Sequence, residues 1–228
     1  MQTLEQLTSP EHSAWITLSQ WIDNARNHCE VIKKDQSSAE RELFTMQMPT
    51  SSPMGAVIYE TGGILIHYGW LRILGSGSFK LPRGLMDWNF SKSFSESGEK
   101  PKYLLVADDV IGGYFALNGG SLGNNIGKIY YYSSKDLTWH KLNFTYTEFL
   151  ARALNGDVEA FYQGLFWKNW QDDVKQLDGN QVFVFTPDLN QDRKIAIDER
   201  QKQEVNIETH YQASFAEKNK FDLAYSVA

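Results

Sequence analysis

The run from Asp188 to Glu199 comes nearest to a ready-made ligand set. Asp188, Asn190, Asp192, Ile195 and Glu199 fill positions one, three, five, eight and twelve of a calcium-binding EF-hand loop. The sixth position wants glycine, because the backbone there takes a positive φ, and this chain has Arg193. An EF-hand also needs an incoming helix, whereas this run follows an apolar stretch and Pro187. An exposed polar loop after a strand is therefore the first expectation, and calcium at 188–199 the alternative. The glycines from Gly112 to Gly127 suggest a phosphate cradle, but Leu122 stands where its first glycine belongs. Ile129 follows Lys128 in place of serine or threonine, so tight turns explain these glycines. Asp108 and Asp109 could pair as general acid and base, yet neighbours on a strand point to opposite faces. Capping the Gly112-Gly113 turn suits them better. His12, His28, His67, His140 and His210 form no metal-binding spacing, and there is one cysteine, so no metal and no cofactor is expected.

Composition narrows the remaining classes. At 228 residues, with 42% hydrophobic and 14% aromatic content, the chain has material for a packed core. A net charge of -6 disfavours a nucleic-acid partner, which needs a basic patch. A single cysteine, Cys29, forms no internal disulfide and points to a reducing compartment. The N-terminus lacks a basic n-region and an apolar h-region, and no apolar run approaches the ~18 residues of a membrane span. A cytoplasmic location without membrane contact is expected.

The elements that would position these residues follow from patterning. Ser9-Pro10-Glu11 reads as a helix start, and Trp15, Leu18, Ile22 and Ala25 recur at helical spacing, predicting a helix over 10–30. Partial alternation leans Glu42–Met48 to strand. Ser52-Pro53 opens a helix that stops at Gly62-Gly63. Ile64–Tyr68 and Trp70–Leu74 read as strands. Arg72 faces away from Leu71 and Ile73, where an internal ion pair is expected before a partner's carboxylate. Residues 78–102 are irregular. The organising stretch is Tyr103–Leu154: a buried strand Tyr103–Ala107, the acidic pair, a double-glycine turn, strands Tyr114–Leu117 and Gly127–Tyr132, then a helix launched by the capping box Thr145–Glu148. Asp157 caps a further helix, the aromatic knot Phe166–Trp170 leads into another ending at Leu177, and Val182–Phe185 reads as a strand. A last helix is placed around 205–218.

Gly62-Gly63, Leu71-Arg72-Ile73, Ala107-Asp108-Asp109, Gly112 to Leu117, Gly127 to Tyr132 and Glu148-Phe149-Leu150 stand in an order that resembles the SUKH superfamily over about 50–155. The phrases ETGG, GWLRILGSG and FYQGLFWKNW resemble, more narrowly, one bacterial family without assigned function ("twenty-six twenty-five" among the domains of unknown function), over most of the chain. The resemblance implies an α+β domain with a single twisted, mainly antiparallel sheet flanked by helices. It implies one domain over 1–228, with a SUKH-like core at about 50–155 and an aromatic-rich extension at about 156–228. SUKH members are mostly bacterial toxin-immunity proteins, so a non-enzymatic protein-binding module is implied, its partner a cognate toxin or another protein. No catalytic residue carries over. Loop placement nominates Asp108, Asp109, Asn124, Asn125 and Trp139 as partner contacts. A small-ligand protein or enzyme, with a pocket lined by Trp70, Trp88, Trp167 and Trp170, is the alternative.

Overall fold

A computed structural model describes residues 1–8, 10–96 and 98–215. Seven strands, β1 (Cys29–Ile32), β2 (Gly63–Ile66), β3 (Leu71–Leu74), β4 (Tyr103–Asp109), β5 (Tyr114–Asn118), β6 (Ile129–Ser133) and β7 (Thr138–Lys141), pair antiparallel in chain order. The middle strand, β4, buries Leu104 through Asp109, as a strand covered on both faces requires. A separate ribbon joins β8 (Gln181–Thr186) to β9 (Gln201–Asn206). The fold class is α+β, with this ribbon added to the one sheet expected.

Helices α1 (Leu4–Leu7), α2 (Trp15–Asp23), α3 (Gln36–Met46), α4 (Pro53–Glu60) and α5 (Leu85–Asn89) precede β4. After β7 come α6 (Tyr146–Asn155), α7 (Val158–Phe161), α8 (Trp170–Gln176) and helical residues 207–215, here α9. One sheet face packs on α2, α4 and α6, where Leu18, Val57 and Leu154 meet Ile64 and Ile73. The opposite face carries Tyr114 and Tyr132 against Tyr211 and Phe215 of α9. The ribbon adjoins the sheet where Phe183 N donates to Val110 O at 2.7 Å. Among the described residues, no helix is long and apolar enough to cross a membrane.

Four elements depart from the expected ones. The helix predicted over 10–30 is a short turn at Pro10–His12 followed by α2, which ends at Asp23. Asn27 then donates to Ala153 O and Gly156 O at 2.8 and 3.0 Å, and Cys29–Ile32 pairs with β2: long-range pairing overrides the local helical period. The Ser9 cap lies outside the described residues. Glu42–Met48 is not a strand but mostly the second half of α3, started by Asp35 accepting from Ser38 N. Thr138–Lys141 forms an edge strand too polar to show a buried period. Residues 201–206 are strand before α9 begins, and the expected helix beyond 215 lies outside the described residues.

Glu42, 1% exposed, fastens α3 to α5 by accepting from Met86 N at 2.6 Å. Burial pushes its carboxyl up to about 8, against the downward pull of that N–H. A carboxyl raised in this way stabilises fully below its unfolded pKa, and the contribution is lost as pH climbs through the folded value. Stability is thus expected to fall by up to about 1.4 kcal/mol per pH unit between roughly pH 5 and 8. Glu42→Gln is expected to remove that component. Urea midpoints showing the same pH slope in Glu42→Gln and its parent would contradict it.

Candidate functional site

The acidic pair sits at the centre of the sheet and is wholly internal. Register places Arg72 directly across from Asp108 on the β3–β4 ladder. Arg72 Nε donates to Asp108 Oδ1 and Arg83 Nη1 to Oδ2, both at 2.6 Å. The arginines also reach the ribbon: Arg72 Nη1 donates to Gln181 O at 2.8 Å and Arg83 Nη2 to Gly179 O at 2.9 Å. Arg72, Arg83 and Asp108 are 3%, 6% and 0% exposed. Burial lowers the Arg72 pKa while the Asp108 carboxylate opposes that shift. The internal ion pair expected of Arg72 is therefore present.

Asp109 points to the other face, as strand alternation requires. Its Oδ1 accepts from Gly113 N at 2.7 Å and Ile111 N at 3.1 Å, capping the double-glycine turn. Its Oδ2 accepts from the hydroxyls of Tyr131 and Tyr162 at 2.8 and 3.0 Å. A Cβ on Gly113 would fall 2.2 Å from Asp109 Oδ2, which is why the turn needs glycine there. Burial raises Asp109 to about 6, and the surrounding N–H and O–H donors hold it from going higher. Both hydroxyls are raised well above the ordinary tyrosine range, first by burial. Asp108 and Asp109 are thus fully covered; neither carboxylate is presented to a partner, and they are not arranged as an acid–base pair on one face.

The other nominated contacts are accessible to different degrees. Asn124 and Asn125 are exposed on the β5–β6 loop beside Ile126, itself 64% exposed. Trp139 is half-buried on the edge strand β7, against Tyr132. The loop is held from beneath by Asn118, 1% exposed. Its amide nitrogen donates to Gly123 O and Asn125 O at 2.7 and 3.1 Å, and its amide oxygen accepts from Gly120 N and Leu122 N at 2.8 and 3.0 Å. Asn118 is not among the residues nominated from the sequence. Its place before Gly119-Gly120 was the available signal for a side chain that replaces backbone pairing in a loop.

The rival chemistries are placed as follows. Trp70, Trp167 and Trp170 cluster with ring centroids 5.4 and 5.3 Å from Trp70, whereas Trp88 packs on Tyr211 in another part of the core, so the four line no common pocket. The 188–199 loop already has a cation. Arg200 donates to the carbonyls of Pro187, Asp188, Gln191, Asp192 and Ile195 at 2.6 to 3.2 Å. A guanidinium held within the loop opposes a second cation there, and the positive φ falls on Asp192, not Arg193. Among the described residues no group of three or more His, Cys, Asp or Glu could hold a metal ion. Burial raises the Cys29 thiol to about 11, keeping it protonated and weakly nucleophilic at neutral pH.

Comparison with known proteins follows the narrower resemblance. A family described as "Protein of unknown function DUF2625" matches residues 4–210. The chain is 98% identical over 228 residues, covering all of both chains, to an "Uncharacterized protein" of Haemophilus influenzae. It is 41% identical over 189 residues, 83% of this chain and 86% of the relative, to "Putative uncharacterized protein YbfG" of Escherichia coli strain K12. No solved structure matches. The SUKH superfamily is not reached by these matches.

Proposed function

The chain belongs to the family described as protein of unknown function DUF2625, and from that premise we propose that it is a non-enzymatic protein-binding module of the toxin-immunity type. The observation that carries this reading is the β5–β6 loop. Four hydrogen bonds from one buried amide fix a segment whose tip exposes Asn124, Asn125 and Ile126. A loop ordered in advance loses little conformational entropy on docking, and an exposed aliphatic residue flanked by two amides suits the apolar centre and polar rim of a protein interface. The net charge of -6 favours a basic partner through electrostatic steering. Asp108 and Asp109 lie at the far end of β4 from this loop and take no part in the contact, and Trp139 is a secondary contact. The SUKH resemblance supplies the immunity role, and the reading places the protein in the cytoplasm with no nucleic acid or membrane as partner.

A photo-crosslinking phenylalanine analogue at position 126 in the source bacterium tests this. The expected result is one dominant adduct, reduced about tenfold by Asn118→Ala, since loss of loop order raises the docking cost by roughly a kcal/mol or more. Cells lacking the chain should then stop growing when the captured partner is expressed. Equal adduct yields from position 126 and from exposed Ile16 on α2 would remove the loop's role. Normal growth of the deleted strain would remove the immunity role.

A further inference from the structure

The edge strand β1 is uncovered along its outer side. On the β1–β2 ladder His67 N donates to His28 O at 2.7 Å and Gly62 N to Ile32 O at 2.8 Å. Hydrogen-bonded positions alternate along an antiparallel pair, so Glu30 also faces β2, while the N–H and C=O groups of Cys29 and Val31 face outward. No other described residue bonds these outward groups, and the next one along, Asn27 N, is taken by Leu154 O at 3.0 Å. We propose that this edge binds an extended, acidic-ended segment of a partner protein, which joins the sheet as a further strand along residues 29–33.

An aromatic side chain stands ready beside the edge. A Cβ on Gly62 would fall 2.8 Å from Ser78 Cβ and 3.0 Å from Lys33 O, and Lys80 Nζ bonds both oxygens of Glu30 at 2.6 and 2.7 Å. The β3–α5 loop is thus fastened to β1 on either side of Phe79. Ser78 N also donates to Leu81 O at 3.0 Å, and Leu81 is fully buried, yet Phe79 itself is 102% exposed. A lone exposed apolar side chain needs no explanation. A ring held beside outward backbone groups is the combination that strand addition uses, main chain for affinity and alternate side chains for specificity. Val31, 38% exposed, points to the opposite face from Glu30, so both faces of an added strand would meet an apolar side chain.

Charge selects the occupant. The carboxylates next to the edge are engaged: Glu30 with Lys80, Glu60 with Lys34, and Asp35 in the cap of α3. Arg26 and Lys33, just before and just after the strand, are exposed and make no ion pair among the described residues. Asp23, at the end of α2, is the remaining acid in the neighbouring sequence, so the edge keeps an excess of free cation. Antiparallel pairing of two copies would bring Arg26 of one toward Lys33 of the other, and like charges across a ladder repel. A foreign segment with acidic ends meets these cations; a second copy does not.

The capped peptide Glu-Glu-Val-Thr-Val-Thr-Val-Glu-Glu tests the edge by amide-resolved NMR titration of the full chain. Its controls are the same peptide N-methylated at the central residues and a version with lysine in place of glutamate. Saturable shifts at the Cys29, Val31 and Lys33 amides are expected, with a Kd of about 1 mM or tighter. Each control should bind at least about tenfold more weakly, and Phe79→Ala should weaken binding about fivefold. Val31→Pro removes an N–H that serves no ladder bond, a position where an edge strand tolerates proline; it should melt within a few degrees of the parent and bind no peptide. No saturation up to about 10 mM, equal binding of the N-methylated peptide, or unaltered binding by Val31→Pro would overturn the proposal. Loss of the fold in Val31→Pro would place that N–H in the ladder and overturn it too. Equal binding of the lysine peptide would overturn the acidic assignment, and a dimer in sedimentation that Val31→Pro abolishes would give the edge to a second copy. None of these outcomes bears on crosslinking at Ile126.

Discussion

Asp108→Asn is expected to destabilise the protein by about 3–5 kcal/mol, the cost of leaving buried charge without its partner. The substitution is nearly isosteric, so the loss reports charge and not volume. Arg72 and Arg83 would remain 3% and 6% exposed with no carboxylate between them. Neither guanidinium can escape by deprotonating, because arginine keeps its proton in proteins. Against a typical total of about 5–15 kcal/mol, the melting temperature should drop by on the order of 10 °C. Arg83→Met should cost less: it removes one of the two cations, although Gly179 O then loses its donor. Urea unfolding of both variants checks the order. A loss below about 1 kcal/mol for Asp108→Asn would mean that the carboxylate is not the main counter-charge of the cluster.

That cluster shows what patterning can and cannot deliver. Strand alternation turned Arg72 away from Leu71 and Ile73 and made an ion pair the first expectation, but naming the partner needed the β3–β4 register. Asp108 lies 36 residues further along, and nothing local connects them. The capping box Thr145–Glu148 was legible because its bonds span three residues: Glu148 N to Thr145 Oγ1 at 3.2 Å, with the return bond at 2.7 Å. Asp109 was legible as a turn cap for the same reason, while its tyrosine partners at positions 131 and 162 were not. β1 and β7 escaped notice as edge strands with solvent-facing residues, where burial writes no period into the sequence. α3 was misassigned because Glu42, a charged residue, occupies a buried position, which breaks the helical apolar stripe.

The same limit produced the calcium alternative at 188–199, and Arg200 is where it can be tested. Arg200→Ala is expected to destabilise by about 2–4 kcal/mol, since hydrogen bonds from a charged donor contribute roughly 1.5–3 kcal/mol each and water restores part of what is lost. One guanidinium bonds five carbonyl oxygens, from Pro187 at 2.6 Å to Ile195 at 3.2 Å. It is 8% exposed, so solvent does not share those bonds in the folded state. The loop's side chains make mainly local turns: Asp188 Oδ2 accepts from Gln191 and Asp192 Oδ1 from Lys194 N. Removing the guanidinium should therefore loosen the segment before the sheet, and limited trypsin digestion should cut after Arg193 or Lys194 at least about tenfold faster. In the parent protein, millimolar calcium should leave the melting temperature unmoved, because the loop is already organised around an internal cation that repels a second one. A calcium-dependent rise of several degrees in the parent, or unchanged trypsin cleavage in Arg200→Ala, would show that the guanidinium does not organise this loop.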